Sequence, residues 1–189
     1  MANKGKYYES QFEEATIELL REAHWQYAFG DDIHRKYTDP LIEEDLRNFL
    51  AVQYKDKNLT TSEMDSIIAN LRNTGGQNDY YALRNAFLLY RDGYDFAYSD
   101  GRDNPFRLEY IDFGHPDHNI FRCVNQFVME QGRENRRPDI LLFINGIPVC
   151  IIELKNPTKQ NATIRDAHTQ ICIRYTRDIP TLLKYCGLA

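Results

Sequence analysis

The spacing of apolar positions along the 189 residues divides the chain into a helix-rich first half and a strand-rich second half. In "YESQFEEATIELLREA" (8–23), Phe12, Ala15, Leu19 and Ala23 form one stripe with Thr16 beside it, and acids crowd the first turn, which predicts an amphipathic helix. "HWQYAF" (24–29) predicts a short strand before a Gly-Asp-Asp turn. Three more helices are expected: over 39–54 with Asp39 as N-cap and Pro40 in the first helical position, over 60–73 with a Thr or Ser cap, and over 79–92, stopped by Gly93. The block 38–93 therefore reads as a helical insertion within a single domain, 1–189. Further on the period shortens to two. "FRLEYIDF" (106–113) and "NIFRCVNQFVME" (119–130) alternate as strands, with "GHPDHN" as a hairpin loop between them. "PDILLFI" (138–144) and "PVCIIELK" (148–155) follow, joined by "NGI". Helical spacing returns in "TIRDAHTQICIRYTRD" (163–178), with Ile164, Ala167, Ile171 and Arg174 on one side, and "PTLLKYCGLA" opens with an apolar helix. Helix, inserted helices, strands and helix in that order predict an α/β sandwich around a mixed sheet.

The last strand pair carries charges that its apolar surroundings do not explain. Side chains alternate along a strand, so Val149, Ile151, Glu153 and Lys155 share one face, while Cys150, Ile152 and Leu154 share the other. Both faces are apolar before Glu153, which places the strand in the middle of a covered sheet with Glu153 and Lys155 emerging at its C-terminal end. Whether Asp139 meets them depends on the loop. A two-residue Asn145-Gly146 turn with unbroken pairing sets Asp139 against Ile152, on the wrong face. A three-residue loop, or a bulge of one residue, sets it against Glu153.

Two facing carboxylates push each other toward protonation, and a hard divalent cation removes that penalty. Mg²⁺ takes carboxylate and phosphate oxygens and activates water, and Lys155 adds positive charge beside a scissile phosphate. Acid, acid and amine are thus a hydrolytic set for phosphodiesters. A bare Glu-x-Lys is also what a strand-end ion pair facing water looks like, with Asp139 capping a turn. The Pro-Asp entry, the hairpin and a Glu-x-Lys closing a doubly apolar strand together form the more specific pattern.

Composition changes this picture little. Hydrophobic residues make up 42% and charged residues 27%, with 13 Tyr and 10 Phe, as in a globular domain rather than a disordered chain. No apolar run approaches the roughly 20 residues of a membrane span, and no signal peptide is apparent, so a cytoplasmic setting is expected. The net charge of −5 excludes a general polyanion binder, but residues 131–184 carry nine bases and five acids, net +4 against −9 elsewhere. Cys123, Cys150, Cys172 and Cys186 form no C-x-x-C pair and read as reduced, buried thiols. His115-Pro-Asp-His118 reads as a solvated loop rather than a metal clamp because Pro116 makes a turn of it; "DGRDN" lacks the spacing of a calcium loop.

"RPDILLFINGIPVCIIELKNP", "IRDAHTQI" and the opening "ESQFEE…IELL" resemble the PD-(D/E)xK nucleases, and among them the N-terminal nuclease domain of the restriction (motor) subunit of type I restriction-modification enzymes. The resemblance implies a restriction-endonuclease-like core and Mg²⁺-dependent cleavage of double-stranded DNA by metal-activated water. It implies Asp139 and Glu153 as metal ligands, Lys155 as the catalytic lysine, and Glu13, with Glu9 behind it, as an acid of the first helix near the metal. The family's Gln, three residues, then Tyr becomes Gln170 and Tyr175 here, one residue too far apart, which rotates Tyr175 by roughly 140° on an α-helix unless a π-bulge intervenes. The resemblance further implies ATP-driven motor domains in the same subunit, and modification and specificity subunits as partners. "NTGGQN" lacks the Gly-Lys-Ser/Thr ending of a nucleotide loop, so the chain reads as a fragment of that longer subunit. A catalytically silent DNA- or subunit-docking relative, and a repair or junction nuclease of the same superfamily, are the alternatives.

Overall fold

A computed structural model describes residues 9–155 and 164–188. Its centre is a four-stranded mixed sheet. Strand β1 (Gln26–Phe29) runs parallel to β4 (Phe121–Asn125), which pairs antiparallel with β7 (Ile140–Ile144), and β7 pairs antiparallel with β8 (Ile147–Ile152). Beyond β8, Cys150 makes a parallel bridge to Leu188. The strands flanked on both sides are β4 and β7, and β8 is the last strand of the sheet with only that bridge beyond it among the described residues, which corrects the expectation that β8 is a middle strand. Its apolar character on both faces comes from the layers that cover it.

One layer is α1 (Glu9–Glu22), whose Ile17 and Leu20 pack on Cys123, Ile140, Leu142 and Ile152. The buried stripe is not the expected one: Leu19 is 66% exposed, and Ala15 and Ala23 also face solvent. Ile17 and Leu20 carry more apolar area onto the sheet than the alanines do, and they set the rotation of the helix. Glu13, one turn before Ile17, is thereby turned toward the sheet. The opposite face of the sheet presents Val124, Leu141, Phe143 and Ile151 to Tyr175, Ile179 and Leu182. These belong to the C-terminal segment: α5 (Ile164–Thr169), a π-helix (Gln170–Tyr175), α6 (Thr176–Asp178) and α7 (Pro180–Leu183). The expected first residue of that segment, Thr163, lies outside the described residues.

The block 38–93 is helical as expected, with α2 (Glu43–Gln53), α3 (Thr61–Asn73) and α4 (Asp79–Asp92). Thr60 and Glu63 close a reciprocal capping box on α3, and Gly93, at φ 67°, ends α4. Asp39 does not cap α2. The helix starts four residues later with Ile42 as N-cap, while Asp39 accepts from the Leu41 N–H and pairs with Arg72. The three helices share a core with a hairpin of β2 (Tyr94–Phe96) and β3 (Phe106–Leu108). That pairing overturns the expected hairpin across "GHPDHN", because β3 turns back to β2 and β4 joins the main sheet. The second half of "NIFRCVNQFVME" also leaves the sheet: Gln126 is left-handed (φ 55°), and Met129–Gln131 forms a separate hairpin, β5, with β6 (Glu134–Arg136). Arg122 of β4 reaches back to the buried Asp45 of α2 with two hydrogen bonds of 2.6 and 2.7 Å, tying the helical block to the sheet.

The β7–β8 hairpin satisfies the odd-count requirement by a bulge. Asn145 (φ 51°) and Gly146 (φ 76°) form a two-residue turn of the primed kind, with Ile144 opposite Ile147. The register then shifts between Leu142 and Phe143: Phe143 pairs with Pro148 but Leu142 with Cys150, leaving Val149 as the extra residue. Pro148, which has no N–H to give, sits beside this break. Below the bulge Ile140 faces Ile152, so Asp139 comes opposite Glu153. The turn is anchored in the core. The Asn145 side chain is fully buried and saturated, accepting from the Ile120 N–H and donating to Tyr110 C=O and Asn119 Oδ1. Gly146 lies against Ile42, whose carbonyl oxygen would sit 2.1 Å from any added Cβ.

Candidate active site

Asp139 and Glu153 stand at the open end of β7 and β8, each one residue beyond its strand. Asp139 Oδ2 accepts from the Leu154 backbone N–H at 2.7 Å, which locks the two chain segments together. Lys155 Nζ lies 2.6 Å from Glu153 Oε1, and the Glu153 side chain is only 2% exposed. The other oxygen, Oε2, accepts from Tyr175 Oη at 2.9 Å, and Gln170 Nε2 donates to that same hydroxyl at 2.7 Å. Gln170, Tyr175, Glu153 and Lys155 thus form one continuous chain of hydrogen bonds.

Tyr175 reaches this chain through helix geometry. The segment Gln170–Tyr175 is π-helical, and the Thr176 N–H donates to Ile171 C=O, five residues back. The wider turn brings residues five apart onto one side, which an α-helix does for residues four apart. Burial raises the Tyr175 hydroxyl pKa well above its ordinary value, and the nearby Glu153 and Asp139 carboxylates add to that. Tyr175 therefore stays a proton donor toward Glu153 at neutral pH.

Glu13 approaches from the α1 layer. Its Oε1 accepts from Asn125 Nδ2 at 2.7 Å and from Gln126 Nε2 at 3.0 Å, and Gln126 also reaches Oε2 at 3.1 Å. The Gln126 N–H in turn donates to Asp139 C=O at 3.1 Å. Glu13 does not close with Asp139 and Glu153 into a tight three-ligand set, but its charge is felt at Asp139. The side chain of Glu9 lies outside the described set. Asn125 and Gln126 were not anticipated as site residues. Their signal in the sequence is two adjacent amides breaking an apolar strand, "CVNQFV".

The electrostatics of the cluster centre on Asp139. Burial raises its pKa to about 6; the Leu154 N–H and Lys155 oppose the rise, while Glu153 and Glu13 add to it. Asp139 and Glu153 thus face each other with the Glu13 charge one layer away and Lys155 as the cation beside them among the described residues, and the carboxylate donor atoms are hard oxygens. That donor set fits a hard divalent cation such as Mg²⁺, which would relieve the excess negative charge.

A mixed sheet covered by helices on both faces, with this carboxylate and lysine group at a strand mouth, is a restriction-endonuclease-like core. The chain belongs to the family described as Type I restriction enzyme R protein N terminus, whose model matches residues 6–189. It is 27% identical over 187 residues to the type I restriction enzyme HindI endonuclease subunit of Haemophilus influenzae, covering 94% of this chain and 17% of that protein. It is 29% identical over 184 residues to a Methanocaldococcus jannaschii protein provisionally named the type I restriction enzyme MjaIXP endonuclease subunit, covering 93% of this chain and 18% of the relative. The chain therefore spans less than a fifth of the length of these relatives. No helix among the described residues is long and apolar enough to cross a membrane.

Proposed function

We propose that this chain is the DNA-cleaving domain of a type I restriction enzyme's restriction subunit, a Mg²⁺-dependent endonuclease of the PD-(D/E)xK kind. The observation that carries the reading is the placement of Asp139 opposite Glu153 by the Val149 bulge, with Lys155 on Glu153. Asp139 and Glu153 would hold the cation. Bound there, such an ion supplies charge to the phosphate and acidifies the attacking water.

The chain's own residues do the positioning. Asp139 is fixed by the Leu154 N–H, and Glu153 by Tyr175. Lys155, whose side chain is 21% exposed, can turn its Nζ from Glu153 toward a non-bridging phosphate oxygen and stabilise the charge that builds there as one P–O bond forms and another breaks. Gln170 holds the Tyr175 hydroxyl so that its proton points at Glu153 rather than at substrate. Asn125 and Gln126 hold Glu13 one layer away, where its charge reinforces the demand for a cation. Double-stranded DNA is the substrate under this reading, and the setting is cytoplasmic. The partners are motor domains of the same subunit, which use the ATP, together with modification and specificity subunits.

The test pairs binding with cleavage. Mg²⁺ titrated calorimetrically into the chain should bind in the wild type and fail to bind in Asp139→Asn and Glu153→Gln. The full subunit with either substitution, assembled in its complex, should no longer cut duplex DNA. A silent docking domain would leave cleavage by the complex unchanged in both variants.

A further inference from the structure

We propose a second metal site, for a zinc-class transition ion, formed by Asp112, His115 and His118 in the loop that leads into β4. It lies at the end of the β7–β8 hairpin remote from Asp139 and Glu153. Among the described residues these three side chains are the one group of three metal-ligating residues whose donor atoms all fall within 4.8 Å of one another. Asp112 Oδ2 lies 2.9 Å from His118 Nδ1 and 3.5 Å from His115 Nδ1. Tetrahedral zinc with bonds of about 2.0–2.1 Å holds its ligand atoms roughly 3.3 Å apart, so these separations bracket the required spacing.

The surroundings are those of a built site. The Asp112 side chain is 7% exposed, while the two imidazoles, at 72% and 54%, leave an approach from solvent. The carboxylate is oriented by the His115 N–H at 2.8 Å on Oδ1 and by Gln53 Nε2 at 3.1 Å on Oδ2, as outer partners orient metal ligands. The Asp112 backbone is clasped by Asn119, which accepts from its N–H at 2.9 Å and donates to its C=O at 2.8 Å. The rings stack with centroids 4.9 Å apart and planes 18° from parallel, so holding one ion in the plane of both takes a turn of one imidazole, which their exposure leaves free to happen. Two nitrogens and one oxygen select zinc-class ions over Mg²⁺, which takes oxygen ligands. Pro116 starts a 3-10 turn that brings the two histidines together; in sequence it reads as a reason to expect a plain loop. The buried partner, Asp112, stands outside the His-Pro-Asp-His run. Bound metal would brace residues 110–120, which hold the Asn145 turn through Tyr110, Asn119 and Ile120.

The test uses the 189-residue chain with any purification tag removed, stripped by chelator and dialysed. Zn²⁺ is titrated against a chromophoric competitor, and Co²⁺ serves as a spectroscopic probe. Expected are one zinc per chain at micromolar affinity or tighter, retained in an Asp139→Asn/Glu153→Gln variant. His115→Ala and His118→Ala should each weaken it about a hundredfold, with circular dichroism unchanged. At a hundredfold excess over Kd, zinc should raise the wild-type Tm by about 5–10 °C and leave that of His118→Ala unmoved. The proposal is overturned if no saturable zinc binding tighter than about 100 μM is found, if the histidine variants bind as the wild type does, or if binding disappears with the Asp139/Glu153 pair.

Discussion

Replacing Asp139 by Asn removes a charge that the fold resists, and the gain in stability can be worked out in advance. Burial lifts the Asp139 carboxyl from an ordinary 3.8 to about 6, with Glu153 and Glu13 adding to the rise against the Leu154 N–H and Lys155. An acid whose pKa is raised by folding contributes stability that is fully present below its unfolded pKa. That stability is lost as pH climbs through the folded value. A rise of this size corresponds to ~3 kcal/mol at full strength. The side chain is only half-buried, so solvent screening reduces this to about 1–2 kcal/mol. Asn keeps a carbonyl oxygen for the Leu154 N–H, so the substitution isolates the charge. In chelator, urea unfolding of wild type and Asp139→Asn between pH 4 and pH 7 should show the variant gaining about 1–2 kcal/mol relative to wild type. Groups that titrate equally in both proteins cancel in the difference. Saturating Mg²⁺ above pH 7 should then reverse the order, stabilising wild type alone. A difference that stays flat from pH 4 to pH 7 would show that folding does not disfavour the Asp139 charge.

Tyr175→Phe removes the hydroxyl that joins Gln170 to Glu153, and the full subunit should cut DNA about tenfold more slowly, a loss of ~1.4 kcal/mol of transition-state stabilisation. Gln126→Gly relaxes a left-handed backbone at φ 55° and removes the Gln126 bonds to Glu13, leaving the one from Asn125; urea unfolding should show a gain of about 1 kcal/mol while cleavage falls, and unchanged cleavage would show that the Gln126 amide does not act through Glu13. Gly146→Ala places a Cβ 2.1 Å from the Ile42 carbonyl oxygen at φ 76°, so denaturant unfolding should show a loss of at least about 2 kcal/mol.

The parts of this molecule that were readable in its sequence are those set by local pattern. The Thr60 capping box, the Gly93 stop and the β7–β8 pair each follow from a few adjacent residues. The requirement that Asp139 and Glu153 face each other fixed the parity of the hairpin. It did not locate the extra residue, because a loop of three and a bulge at Val149 satisfy the same count. The one-residue excess between Gln170 and Tyr175 was visible too, and whether the helix absorbs it as a π-turn depends on the partner that Tyr175 finds in Glu153. The failures share one cause, which is tertiary choice among locally equivalent options. Leu19 and Ile17 are equally good candidates to face the core, and contact with Cys123 and Ile140 decides for Ile17. β3 could pair with β2 or β4 on pattern alone, and it takes β2. Cys172, expected to be buried, is exposed because the π-turn directs Tyr175 inward in its neighbourhood. The role of Asn125 and Gln126 requires knowing that α1 lays Glu13 across the end of β4.

Under the proposed function, the role of Lys155, beside Asp139 and Glu153, lies in the cleavage chemistry itself. Its most direct test is DNA cleavage by the full-length subunit carrying Lys155→Ala in the assembled enzyme, with ATP hydrolysis and translocation measured in parallel. Cleavage should fall by about a hundredfold or more with ATP hydrolysis and translocation retained. Undiminished cleavage by that variant would contradict that role.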